Sequence, residues 1–473
     1  MRKRVIIFFL LIFSMPSFSQ LINGYEIAVS ISGLQDSTIY LAHHYGSKQL
    51  LVDTLKLDKT GSGIFKGKEP LPQGIYLIVL PKKNYFEILV GDDQQFEIHT
   101  RYSDFVKSLK VTGSEENSDF LDFQRTWGDL QRRSGEINKR FQANQQRVDS
   151  LKIISNLQRS QEAKMVSYLR SVVAEHKGSL LSAIVKAIIP IEIPEFHVTA
   201  GIRNPDSVLM IRKYIYNKDH FFDNISLTDA RLIRTPVLES RLNAFFTNIV
   251  IQSPDSINKE IDIILKKAGP DKKVYQFTAN YLLTHFSQST LMGHDAVLVK
   301  LADDIYLTEK ADWVSKEFKE ELRKKVTLIR PNILGKKGHD LIMNSYKEVF
   351  VSLYDIEKEF TILYFWEPDC GHCKESTPKL KAFYEKNKNT GIEVFTVCTT
   401  GDKEKWSKYI QENDLAWING WDPERRTRFD YYYNVQSTPL IYILDRNKKI
   451  IAKNLAVENV APFIDNYRKY QPK

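Results

Sequence analysis

Two cysteines three residues apart close the tetrad Cys370-Gly371-His372-Cys373. A pair at this spacing holds the parts of a thiol-disulfide exchange: one thiolate attacks a disulfide, and a second thiol attacks the mixed disulfide and releases the substrate. On a helix, residues three apart stand one turn from each other on nearly the same face, so the second sulfur can reach the first. Where a helix begins at the tetrad, Cys370 meets free backbone N–H groups and the positive end of the macrodipole, both of which favour a thiolate. Cys370 is therefore the expected nucleophile and Cys373 the expected resolving thiol. Between them His372 adds a titratable group that favours the thiolate further and makes the pair a better oxidant; the plainer reading is an exposed histidine with no tuning role.

Two other uses of the pair are weaker. A zinc site needs four ligands, yet the third cysteine of the chain is Cys398 and no second Cys-x-x-Cys or His-x-x-x-His appears. A structural disulfide across so short a loop would remove little unfolded-state entropy and tends to be strained. The pairs His43-His44 and His294-Asp295 have no partner cluster at ligand spacing and read as ordinary polar positions. No metal and no cofactor are expected. Cys398 reads as a small buried residue, the sharper alternative being a third thiol that relays a disulfide.

The tetrad needs a strand that ends and a helix that begins. Phe360–Trp366 reads as a buried strand, and helical spacing follows at 373–384. Strands are expected again at 392–397, 440–444 and 449–452, and helices at 402–412 and 460–470. Strands alternating with helices indicate an α/β sheet with a parallel portion, spanning 332–473.

This segment resembles the thioredoxin-like thiol-disulfide oxidoreductases, in particular their exported TlpA-like and ResA-like branch. The resemblance rests on Phe365-Trp366, the tetrad followed by Lys374, Pro378 five residues after the second cysteine, and Ser437-Thr438-Pro439 ahead of an apolar strand. It implies a thioredoxin fold, a cis Pro439 facing the cysteine pair, and a Thr438 whose backbone groups serve an extended substrate segment. A cis X-Pro bond makes the sharp turn that such an approach needs, whereas a trans proline would merely start an edge strand. Inside its helix Pro378 removes one hydrogen bond and is expected to kink it. The chain also departs from the family: Tyr364 stands where many thioredoxins bury an acid, and Asp369 where a tryptophan usually precedes the first cysteine. Glu367 and Asp369 are expected as solvated loop acids, the alternative being that one of them handles the proton.

Upstream the pattern changes twice. In the segment 20–113, residues 22–110 alternate at period two, with Tyr25, Ile27, Val29 and Ile31 on one face, and turn clusters such as Gly91-Asp92-Asp93 separate short runs. A small antiparallel β domain is expected. At 114–331 Phe120, Phe123, Trp127, Leu130, Ile137 and Phe141 recur at helical steps, with breaks at 190–194, 204–206, 253–255 and 269–271. This central domain is expected to be all-α, and its charged strip 316–325 to be a solvated helix face, because acids and bases are interspersed in it. Both regions resemble domains of unknown function that precede thioredoxin modules in exported Gram-negative proteins, through Val52-Asp53-Thr54 with the turn before Phe65, and through 232–236 and 291–298. That resemblance implies no chemistry.

The whole chain has 473 residues, 42% hydrophobic and 26% charged, which fits a multidomain globular protein and excludes a disordered one. Residues 1–19 combine a basic start, an apolar stretch and small residues before Gln20, the pattern of a cleavable signal peptide; an uncleaved membrane anchor is the alternative. Its removal lowers the formal charge of +9 by three, to +6, too weak over such a length to suggest nucleic acid. The expected protein is an exported enzyme of the periplasm or envelope. Its partners would be protein thiols or disulfides and a membrane electron donor. The rival expectation is a binding or scaffold protein carrying a redox-idle module. Such dithiols span roughly −270 to −120 mV, so spacing leaves the direction of exchange open.

Overall fold

The computed structural model describes residues 24–144, 148–199 and 201–470, and the leader read at 1–19 lies outside them. The chain divides into two compact units between Phe245 and Phe246, inside the helical region.

In the first unit eight strands form two four-stranded sheets around one core. They are β1 (Tyr25–Ser32), β2 (Thr38–Tyr45), β3 (Lys48–Lys56), β4 (Ser62–Gly67), β5 (Gly74–Val79), β6 (Tyr85–Val90), β7 (Gln95–Arg101) and β8 (Lys110–Thr112). One sheet has the order β4-β1-β7-β8 and the other β3-β2-β5-β6. Alternation builds the core: Ile27, Val29, Ile31 and Ile98 from one sheet meet Ile39, Leu41, Ile78 and Ile88 from the other. Every pairing is antiparallel except β1 with β7, which run parallel. That departure follows from β1 lying between β4 and β7, with the whole β2–β6 stretch crossing over between the parallel partners.

The helices of this unit are α1 (Glu115–Ala143), α2 (Val148–Glu175), α3 (Leu180–Ile188), α4 (Pro205–His220) and α5 (Val237–Ala244). Two side chains in the first turn of α1 tie it to its neighbours. Buried Asn117 accepts from Leu89 N–H at 2.7 Å and donates to Leu89 C=O at 2.6 Å, occupying a ladder position on β6. Glu116 accepts from Leu180 N–H at 2.9 Å and Leu181 N–H at 3.3 Å, satisfying free donors at the start of α3.

The second unit opens with α6 (Pro254–Ala268), α7 (Lys272–Gln288), α8 (His294–Leu301) and α9 (Lys316–Ile329). Pro254 at the first turn of α6 and Asp271 capping α7 start helices where the sequence predicts breaks. Then come β9 (Ile342–Ser345), β10 (Phe350–Ser352), β11 (Phe360–Trp366), α10 (Gly371–Asn387), β12 (Ile392–Cys398), α11 (Lys403–Asn413), β13 (Ile418–Trp421), α12 (Phe429–Tyr432), β14 (Leu440–Asp445), β15 (Ile450–Lys453) and α13 (Val460–Tyr470). Their seven strands form one mixed sheet, β10-β9-β13-β12-β11-β14-β15, in which β11, β12 and β13 are parallel. Every residue of β11 is buried, which explains why it is apolar on both faces but for Thr361: apolar clusters cover both sides.

A buried lysine joins the helices to the sheet within this unit. Lys453 at the end of β15 is 6% exposed. Its ammonium pairs with Asp295 of α8 and donates to Asn332 Oδ1 at 2.9 Å and Asn332 O at 3.0 Å. Met292 packs on the sheet core. Among the described residues no helix is long and apolar enough to cross a membrane.

Candidate redox site

The site lies at the carboxyl end of β11. After Trp366 the chain makes a short loop, and Cys370 becomes the N-cap of α10, its Sγ accepting from Cys373 N–H at 3.2 Å. The cap explains why the helix starts where it does, and it places both thiols within one turn. Cys370 is half-buried, Cys373 is 1% exposed, and Gly371 and His372 are exposed. Among the described residues the His372 ring makes no hydrogen bond. From Gly371 to Asn387 the helix runs as one element through Pro378.

Thr438 and Pro439 come to the pair from 68 residues further along. In β14, Leu440 stands opposite Phe365 in antiparallel register, so two steps beyond, Thr438 falls opposite Glu367. The Thr438–Pro439 bond is cis. The Cys370 thiol donates to Thr438 C=O at 3.4 Å, and the Thr438 hydroxyl donates to Glu367 Oε1 at 3.2 Å. Cys370, Cys373, Thr438 and Pro439 are thus assembled on one patch, with Glu367 as a fifth member.

Electrostatics separate the three thiols. Burial, then the hydrogen bond to Cys370, pushes the Cys373 thiol up to about 12. Burial pushes Cys398 up to about 12 as well; it ends β12, fully enclosed, in register with Trp366. Tyr364 is also enclosed, 3.1 Å from Thr377 Oγ1, and burial holds its phenol far above the ordinary range. A phenol so held cannot take a proton at neutral pH, so Tyr364 does not replace a buried acid. The two loop acids part company: Asp369 is exposed and ion-paired with Lys405 at 2.7 Å, which holds its carboxyl below the usual range, whereas Glu367 is half-buried and turned onto Thr438. Sequence reasoning treated them alike. The signal that tells them apart is strand register, which appears only once β11 and β14 are paired.

The histidine pairs hold local structure. His43 Nδ1 meets His44 C=O at 2.6 Å, His44 Nε2 meets Glu87 at 2.9 Å, and His294 Nδ1 meets Ser289 Oγ at 2.8 Å. Among the described residues no three His, Cys, Asp or Glu gather as metal ligands. A cavity of about 480 Å³ lined by Ser345, Tyr384, Glu393 and Trp417 lies elsewhere in this domain, towards the start of β12 and away from the cysteines.

Comparison with known proteins agrees with this fold. Residues 358–450 match a thioredoxin-like family model, and 25–120 and 205–332 match two domains of unknown function, DUF4369 and DUF5106. The chain is 21% identical over 120 residues to thiol-disulfide oxidoreductase ResA of Bacillus cereus, covering 25% of this chain and 68% of that one. Probable nucleoredoxin 1 of Arabidopsis thaliana is 29% identical over 93 residues, covering 20% of this chain but only 16% of its own length. Among solved structures, a domain of a possible thiol-disulfide isomerase from Cytophaga hutchinsonii is 38% identical, covering 29% of this chain and 94% of that domain, with a TM-score of 0.28. A thioredoxin-like protein from Bacteroides caccae is 16% identical, covering 59% and 99% of the two chains, with a TM-score of 0.44. The C-terminal domain is therefore thioredoxin-like and similar to thiol-disulfide oxidoreductases, preceded by two domains to which no chemistry is attached.

Proposed function

We propose that the protein is an exported thiol-disulfide oxidoreductase that exchanges disulfides with other envelope proteins through Cys370 and Cys373. The observation that carries the reading is the position of Cys370: half-buried at the start of α10, its sulfur accepting the Cys373 N–H and lying 3.4 Å from the carbonyl of Thr438. In the reducing direction, the Cys370 thiolate attacks R–S–S–R′, forming Cys370–S–S–R and releasing R′S⁻. Cys373 then attacks the Cys370 sulfur, the bond to R breaks, and RS⁻ leaves. The pair has given two electrons to the substrate, and a dithiol donor at the membrane returns them. In the oxidising direction the same steps run backwards. Thr438 and Pro439 border the sulfur as the surface for an extended substrate segment, and Gly371 and His372, both exposed, present the tetrad and set its potential. The leader at 1–19 delivers the chain, and the upstream domains bind partners or mediate assembly.

Replacing one cysteine at a time tests the reading. Cys370→Ser is expected to lower turnover of a protein disulfide by at least about 100-fold, and Cys373→Ser to accumulate a mixed disulfide at Cys370 visible by mass spectrometry. Unchanged exchange in Cys370→Ser would leave a binding module whose thioredoxin domain is redox-idle.

A further inference from the structure

The cavity of about 480 Å³ lies between the β9–β10 hairpin, the end of α11 and the start of β12. Small-molecule sites occupy roughly 300–1,000 Å³, so its size suits a small ligand. One wall is held rigidly. Asn419, 3% exposed, accepts from Trp417 Nε1 at 2.9 Å and Thr396 Oγ1 at 3.1 Å, and donates to the carbonyls of Leu415 at 2.9 Å and Trp417 at 3.0 Å. Every donor and acceptor of that amide is used within the protein, so it fixes Leu415 and Trp417 and offers nothing to a ligand.

Two other polar groups of the lining are unmatched. Ser345 is 9% exposed, and its buried Oγ has no hydrogen-bond partner among the described residues. Glu393 is half-buried, and its Oε1 accepts from the Tyr384 hydroxyl at 2.8 Å and from Val394 N–H at 3.0 Å. Among the described residues its Oε2 makes no hydrogen bond, and the carboxylate pairs with no cation. A carboxylate withdrawn from water without a counter-ion is costly, and a ligand that brings a cation removes that cost.

We propose that this cavity binds a small organic amine: an ammonium group carried on an apolar or aromatic body. The ammonium supplies the cation that Glu393 lacks, and its N–H groups are the donors that Glu393 Oε2 and Ser345 Oγ can accept. Val351, Ile410, Leu415 and Trp417 receive the apolar body. Trp417 and Tyr384, whose rings meet edge to face at 5.8 Å, add aromatic surface that attracts a cation. An anion would be repelled by Glu393. A metal ion would find too few ligands, because no three His, Cys, Asp or Glu gather among the described residues. The other charged groups of the lining are exposed to solvent: Lys347 on the hairpin turn, and Asp414, whose carboxylate meets Lys381 at 3.3 Å. Glu393 stands near the start of β12, in register with Thr361, whereas Cys398 at the other end is in register with Trp366 beside the redox site. The amine site is therefore separate from the cysteine pair and does not rest on the exchange reaction.

Isothermal titration calorimetry of the full chain near pH 7 tests the site with tryptamine and phenethylamine, each against its uncharged alcohol, tryptophol and phenethyl alcohol. The amines are expected to bind one-to-one and at least about 10-fold more tightly than the alcohols, the size of a hydrogen bond to a charged group. Glu393→Gln keeps an acceptor oxygen for Tyr384 and Val394 but loses the charge. It is expected to abolish the preference for the amine while leaving the affinity for the alcohol unchanged. Ala416→Trp, at an exposed position of the lining, places an indole in the cavity and is expected to weaken amine and alcohol alike. Unaltered circular dichroism and thermal melting mark both variants as folded. Absence of saturable amine binding at millimolar concentration, equal affinity for amine and alcohol, or a preference that survives in Glu393→Gln overturns the proposal. Amine binding that Ala416→Trp leaves unaltered places the ligand elsewhere and overturns it as well.

Discussion

Cys370, Cys373 and Cys398 share one side chain and differ in almost everything else. Only Cys370 is half-buried; the other two are enclosed, and burial pushes each thiol up to about 12. Iodoacetamide applied to the reduced, folded chain near pH 8 is expected to label Cys370 rapidly, and Cys373 and Cys398 only after unfolding, as peptide mass spectrometry can count. Rapid labelling of Cys398 would contradict its enclosure and open the third-thiol reading. The closeness of Cys370 and Cys373 was legible in the sequence because spacing and a helix start suffice to bring them together. The partner of Glu367 was not, since it lies across a strand pairing whose register depends on all of β11 and β14. A pattern within one segment carries no such information.

At the scale of elements, periodicity revealed what one face determines and hid what contact determines. β1 alternates cleanly and was expected, whereas β13 (Ile418–Trp421) was not: it is short and holds Gly420, where a Cβ would come within 2.5 Å of Met343 Sδ and 3.0 Å of Thr396 O, so close packing excludes a side chain. β4 was missed for a similar reason, its Gly63 and Gly67 seating the side chains of Leu55 and Tyr25. Lys453 was equally hidden, since a lysine at a strand end reads as a solvated charge. Lys453→Met strands Asp295 and Asn332 without their cation. The expected cost is about 2–3 kcal/mol in urea unfolding, below the ~3–5 kcal/mol of a fully buried pair because the Asp295 side chain keeps 24% of its exposure. Lys453→Met with Asp295→Leu is expected to recover much of that loss.

For the whole molecule, the compact unit that contains the redox site begins at Phe246, not at the start of the thioredoxin-like segment. A fragment of residues 332–473 lacks Asp295 and Met292, so it exposes the seat of Met292 and leaves Lys453 without its carboxylate. It is expected to melt about 5–10 °C below a fragment of residues 246–473, as differential scanning calorimetry can compare. The other unit shows how the chain guards itself. Asn117 takes the N–H and C=O of Leu89 on β6, an outermost strand of its sheet, with the same two bonds that a neighbouring strand would make there. At Leu89 this flank is already bonded by the chain's own helix and offers no template to a foreign strand. There the Asn117 amide is an obstacle to strand addition as well as a structural tie.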